Sequence, residues 1–156
     1  DAHRTGSGSG ASQMEVGRYH FGGAEHWFLQ YNTWSFGLLQ DMSTLGLKVW
    51  PTCPVLCTYL CSDADAPAVA ARRCLELGAG IGMLGFVLGS LGASVTVTDD
   101  DEACLRVAAV NQRLNGADAS RCRVQRLAYG AEPAERFAAA QGRFELIFGS
   151  DIVYSA

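Results

Sequence analysis

Two things are scarce in this sequence: basic charge and long apolar runs. Twelve Lys and Arg stand against sixteen Asp and Glu in 156 residues, a formal charge of −4, so a broad phosphate-binding surface is not expected. No run approaches the roughly 20 apolar residues that a bilayer crossing needs, and the first residues lack the charged-then-apolar pattern of a secretory signal. Six cysteines are present, but no C-x-x-C pair and no clustered histidine, so a zinc site is not expected and the predicted metal set is empty. Cys53, Cys57 and Cys61 recur every fourth residue, on one helix face, while Cys74, Cys104 and Cys122 sit within or beside apolar stretches. The expected state is buried free thiols in a reducing compartment, the cytosol or nucleus. The length suits one domain, and 49% hydrophobic residues suit a packed core.

The most informative stretch is Arg73-Cys-Leu-Glu-Leu-Gly-Ala-Gly-Ile-Gly-Met-Leu-Gly85. Cys74–Leu77 reads as a short buried parallel strand. Glycines alternate at Gly78, Gly80 and Gly82, and Met83 onward reads as a helix. Strand, glycine loop and helix bring backbone N–H groups and a positive helix end close to a ligand. Two readings compete here. Gly80-Ile-Gly82-Met-Leu-Gly85 fits the dinucleotide pattern G-x-G-x-x-G, with Asp99 at a suitable distance for a ribose hydroxyl. Starting two residues earlier, Glu76-x-Gly78-x-Gly80-x-Gly82 resembles motif I of S-adenosylmethionine-dependent methyltransferases. A carboxylate at Glu76 suits a ligand carrying an ammonium group better than one carrying phosphates, which favours the second reading.

In chain order, residues 1–13 are rich in Gly, Ser and Ala and are expected to form a flexible tail. Residues 14–156 are expected to form an N-terminal extension and the cofactor-binding half of a single domain. Met14 to Thr33 is aromatic and predicts a β-hairpin turning at Gly22-Gly23, with His20 and His26 in ordinary surface or packing roles. A helix is expected after Pro51, with Thr52 as N-cap and Val55, Leu56, Tyr59 and Leu60 facing the core. Ser94–Thr98 alternates as a second strand and ends at Asp99-Asp100-Asp101. In a parallel sheet that is the ligand-facing end, and Asp99 takes the ribose-binding role. Asp100, Asp101 and Glu102 suit the start of the next helix, which closes at Asn115-Gly116. Arg121–Leu127 predicts a third strand near an edge, Pro133–Gln141 a helix, and Phe144–Phe148 a fourth strand.

Four separated pieces then line up with one family: Val49-Trp50-Pro51, Glu76–Gly82, Val95–Asp99 and Ser150-Asp151-Ile152-Val153-Tyr154. Together they make the chain similar to the METTL-type protein-lysine methyltransferases (methyltransferase family 16). The resemblance implies an α/β, Rossmann-like seven-strand S-adenosylmethionine-dependent methyltransferase fold, with an N-terminal hairpin and helix extension. It implies that Trp50, Glu76, Gly78, Ala79, Gly80, Asp99, Tyr129 and Ser150 surround S-adenosylmethionine, and that Asp151 and Tyr154 form the D-x-x-Y pair at the methyl-transfer end. Leu127-Ala128-Tyr129-Gly130 departs from the family's Leu-x-Trp-Gly, keeping an aromatic face of smaller area. The family's sheet order is 3-2-1-4-5-7-6, and strands five to seven have no counterpart here. The fold is therefore expected to be incomplete, with an apolar edge on strand four.

The implied activity is methyl transfer to a lysine ε-amine of a protein substrate, with no nucleic acid or membrane partner. Asp151 would orient the incoming amine and Tyr154 would shape its channel. A catalytically inactive, methyltransferase-like binding module or fragment is the alternative. An NAD-dependent oxidoreductase is a third reading, which has no use for D-x-x-Y.

Overall fold

The computed structural model describes residues 14–31 and 42–153. The expected tail at 1–13 and Tyr154 lie outside the described residues. The hairpin is present as predicted: β1 (Met14–Phe21) pairs antiparallel with β2 (Ala24–Tyr31) around Gly22-Gly23. Tyr19, Phe21, His26 and Phe28 share one face of it and form a ring cluster. Phe21, His26 and Phe28 in that cluster are buried. A 3-10 turn, Met42–Leu47, leads into α1 (Thr52–Leu60).

Helix α1 differs from expectation at both its start and its face. Pro51, not Thr52, is the N-cap residue, its backbone is already helical, and no side chain caps the helix. Proline suits this position because its fixed φ matches the first turn and it has no N–H to leave orphaned. Val55 and Tyr59 point to solvent, and Cys57 and Leu60 are the buried residues. The thiols at Cys53 and Cys57 lie one turn apart, and the face they share with Leu56 and Leu60 is the one that meets the core. A short helix missed by the pattern, α2 (Ala66–Val69), buries Val69 before the sheet begins.

The sheet is parallel, in the order β5-β4-β3-β6, from β3 (Arg73–Glu76), β4 (Ser94–Asp99), β5 (Cys122–Arg126) and β6 (Leu146–Phe148). This is the 3-2-1-4 portion of the expected order, with β5 at one edge as anticipated. At the other edge, Ile147 of β6 is largely exposed. The connecting helices are α3 (Met83–Ser90), α4 (Glu102–Leu114) and α5 (Ala131–Gln141). Each parallel crossover places the next loop at the same end of the sheet, so the loops after β3, β4, β5 and β6 converge.

Helix α3 anchors the arrangement. Met83 to Leu88 is buried without a break, which is why its sequence is apolar all round rather than amphipathic. Each fully buried Leu, Val or Phe there contributes roughly 1.5–3 kcal/mol from area alone. Gly85 lets the helix approach β4 and β3, because a Cβ at that position would collide with Val97 and with the Glu76 carboxylate. Asp101 caps α4 by accepting from the Ala103 N–H at 2.7 Å, consistent with the reading of the acid cluster as partly a helix start.

Candidate functional site

The converging loops enclose a cleft of about 580 Å³. Its wall includes Trp50, Gly78, Ala79, Gly80, Asp99, Tyr129, Ser150 and Asp151. These residues come from five separated parts of the chain, and the fold brings all of them together.

The glycine loop is held by its backbone from several sides. Ala79 N–H donates to Thr98 O at 2.9 Å, and Gly80 N–H donates to Asp99 Oδ2 at 2.8 Å. Gly80 has φ +55°, and a side chain there would run into the Gly46 carbonyl. Both facts require glycine: left-handed backbone and a close neighbouring peptide. Gly46 belongs to the 3-10 turn, so that turn closes over the loop. Trp50 Nε1 donates to Leu45 O at 3.0 Å, fixing the indole beside the same turn. Tyr129 stands largely exposed at the cleft mouth, its hydroxyl close over Gly78.

Asp151 is one of two non-glycine residues with positive φ among the described residues, at +55°. Aspartate tolerates this region better than most side chains, but the conformation is uncommon and recurs where function holds it. It is exposed in the cleft wall, on the loop whose Ile152 lies against Gly78.

Glu76 stands apart from the others. It is 2% exposed, is not among the cleft-lining residues, and accepts from the Gly85 N–H at 2.9 Å through Oε2. Its place is behind the loop, where it satisfies an orphan donor in the first turn of α3. Burial pushes its carboxyl well above the ordinary range, and negative charge at Cys53 and Asp99 adds to the effect.

Lys48 and Cys53 are among the lining residues that escaped the sequence reading. Among the described residues, Lys48 is the only cationic side chain that lines the cleft, whose wall also carries Asp99, Asp100, Asp101 and Asp151; its Nζ lies 5.7 Å from the Tyr31 ring centroid. Its position two residues before Trp50 was the available signal. Cys53 also lines the cleft. The Cys57 thiol, hydrogen-bonded to it, holds the Cys53 thiol below the ordinary cysteine value, and hydrogen bonds from Ser150 and the Leu84 backbone act in the same direction. Cys57 is pushed the opposite way by that hydrogen bond and by burial. No group of three metal-ligating side chains occurs among the described residues.

The lysine methyltransferase family profile matches residues 37–156. The chain belongs to this family. Among curated members, it is 36% identical over 120 residues to protein N-lysine methyltransferase METTL21A of Danio rerio, covering 75% of this chain and 53% of that protein. The Xenopus tropicalis protein of the same name is 34% identical over 141 residues, covering 88% and 60%. The chain thus spans a little over half the length of these two lysine methyltransferases. Among solved structures, the Thermus thermophilus 16S rRNA N2 G1207 methyltransferase RsmC, in complex with AdoMet and guanosine, superposes with a TM-score of 0.65 at 24% identity. That match covers 94% of this chain and 35% of RsmC. The fold is that of the S-adenosylmethionine-dependent methyltransferases, as expected from the sequence.

Proposed function

We propose that this chain carries the cofactor-binding half of a methyltransferase that transfers a methyl group from S-adenosylmethionine to lysine side chains of proteins. The observation that carries the reading is the single cleft joining the glycine loop, Asp99 and Asp151. Its donor and acceptor set suits this cofactor. Asp99 offers carboxylate lone pairs to ribose hydroxyls, and Tyr129 and Trp50 offer aromatic faces. Among the described residues the wall carries one cation and several carboxylates, which suits a zwitterionic amino-acid tail better than a pyrophosphate, which the acids would repel. Family membership and the names of the METTL21A relatives support lysine as the acceptor and a protein as the substrate.

S-adenosylmethionine, when bound, supplies an activated methyl group on a sulfonium. The chain's own residues then have three tasks. The loop around Gly78 and Gly80 gives the ligand close access to backbone. Asp151 attracts and aligns a lysine amine at the cleft, which is positioning rather than proton abstraction, because a nearby carboxylate raises an amine's pKa. Tyr154, three residues on in the sequence, would shape the channel of the incoming amine, the role the family resemblance implies for it. The chemistry needs alignment more than a covalent intermediate.

The test is calorimetric titration of this chain with S-adenosylhomocysteine, with NADH as the comparison ligand. Micromolar binding of S-adenosylhomocysteine without NADH binding supports the reading. Binding of NADH alone overturns it in favour of an oxidoreductase. Cofactor binding with no methylation of any protein substrate by the intact enzyme would favour an inactive binding module.

A further inference from the structure

Asn111 is fully buried on α4 and joins two segments far from it in sequence. Its Oδ1 accepts from the Leu29 N–H at 2.6 Å, and its Nδ2 donates to Leu29 O at 3.1 Å and to Ile81 O at 3.0 Å. Leu29 is in the hairpin, and Ile81 is in the glycine loop. Asn115, one turn later, makes the same paired contact with Trp27: Oδ1 accepts from its N–H at 2.9 Å and Nδ2 donates to its carbonyl at 2.6 Å. The two amides thus close the outer edge of β2, but only Asn111 reaches the loop.

The Ile81 contact matters because of what flanks it. The Ile81–Gly82 peptide plane turns about ψ of Ile81 and φ of Gly82, and Gly82, at φ +80° and with no Cβ, offers little steric resistance on its side. Gly82 N–H donates to Ala79 O at 2.9 Å, and the Asn111 amide holds the carbonyl of the same peptide. Without that donor the buried carbonyl would lose its partner and the plane could turn, moving backbone that lines the cleft.

We propose that Asn111 is a positioning residue for cofactor binding, fixing the glycine loop and tying its geometry to the docking of the N-terminal hairpin. The inference rests on the cleft being the S-adenosylmethionine site. Because coupling is reciprocal, ligand in the cleft protects the hairpin clamp, and loss of the clamp donor weakens the ligand.

The test combines S-adenosylhomocysteine titration with amide hydrogen exchange on this chain. In the wild type, ligand slows exchange of the Leu29 amide, whose acceptor is Asn111. Asn111→Ala weakens ligand binding about tenfold, the worth of one hydrogen bond. Asn115→Ala speeds exchange at Trp27 but changes affinity by less than about twofold, because it leaves the loop contact intact. A folded Asn111→Ala chain that binds like the wild type overturns the proposal, as does Asn115→Ala weakening binding to the same extent. Should Asn111→Ala not fold, the wild-type exchange result decides: no ligand protection at Leu29 overturns it. A wild-type chain that binds no S-adenosylhomocysteine at all removes the cofactor reading and this inference together, a different outcome from a variant that fails to differ.

Discussion

Asp99 and Gly80 are bound to each other in the wall of the cleft: the carboxylate Oδ2 accepts the Gly80 N–H at 2.8 Å while Oδ1 accepts the Asp101 N–H at 2.9 Å. Each carboxylate oxygen can accept more than one hydrogen bond, so the residue supports the loop and keeps lone pairs for a ligand. Removing it therefore acts twice. Asp99→Ala is expected to weaken S-adenosylhomocysteine binding on the order of 100-fold, the combined worth of two charge-assisted hydrogen bonds. Asp99→Asn, which keeps one acceptor, should lose less. Equal calorimetric affinity of Asp99→Ala and wild type would remove Asp99 from the ligand contacts.

Lys48 offers a test of which part of the ligand meets which wall. As the only cation lining the cleft among the described residues, it suits a carboxylate. Lys48→Gln should weaken S-adenosylhomocysteine by about tenfold, as for a partly exposed charged hydrogen bond. Methylthioadenosine, which lacks the amino-acid tail, should bind both proteins alike. A parallel loss for both ligands would assign Lys48 to packing against Tyr31 instead.

Glu76 makes the stability of the chain pH-dependent with a definite sign. Its folded-state pKa is raised above the ordinary value of 4.5, chiefly by burial. The folded chain thus binds more protons than the unfolded one across that window, and the contribution of Glu76 to stability declines as pH rises. It is complete below the ordinary value and lost on passing the raised one. Glu76→Gln retains a carbonyl acceptor for Gly85 N–H and should flatten this decline. Denaturant melts of both proteins at pH 5 and about pH 8 measure it; a steeper decline in the variant would contradict the assignment.

Cys53 and Cys57 should separate chemically although they share a helix face. The thiolate is the reactive form, and Cys53 is lowered while Cys57 is raised. Limited alkylation followed by peptide mapping should therefore modify Cys53 well before Cys57. Saturating S-adenosylhomocysteine should slow the reaction at Cys53, which lines the cleft, and leave Cys61, which does not, unchanged. Equal protection of Cys53 and Cys61 would point to general tightening instead of occupancy.

Much of this architecture was legible because local and global signals agree. The β-branched alternation of Ser94–Thr98, the glycine stops and the Gly22-Gly23 turn each mark an element that the fold adopts. The motif spacing also places most cleft residues, since loops after parallel strands must share one end of the sheet. The face of α1 was half legible: Leu56 and Leu60 meet the core as expected, but the thiols expected to be buried take the rest of that face as small apolar side chains, which leaves Val55 and Tyr59 in solvent. Glu76 was drawn towards the ligand by charge logic, although a side chain on a central strand with a helix above it has its own donor to satisfy. Asn111 gave no signal, because nothing in a helix pattern shows which backbone a buried amide will meet 82 residues away.

The spacing of Asn111 and Asn115 sets a length rule for two segments at once. Four helical residues advance about 6 Å and two strand residues about 6.7 Å, so the two repeats run in step. A one-residue insertion or deletion between the asparagines, or between Trp27 and Leu29, would put this ruler out of step. It would offer the amides backbone groups that already face β1. A residue added to the helix also turns the second amide by about 100° about the helix axis, and one added to the strand turns its backbone groups to the opposite edge. An indel in one segment should therefore not be rescued by one in the other, although the two lie more than half the chain apart in sequence.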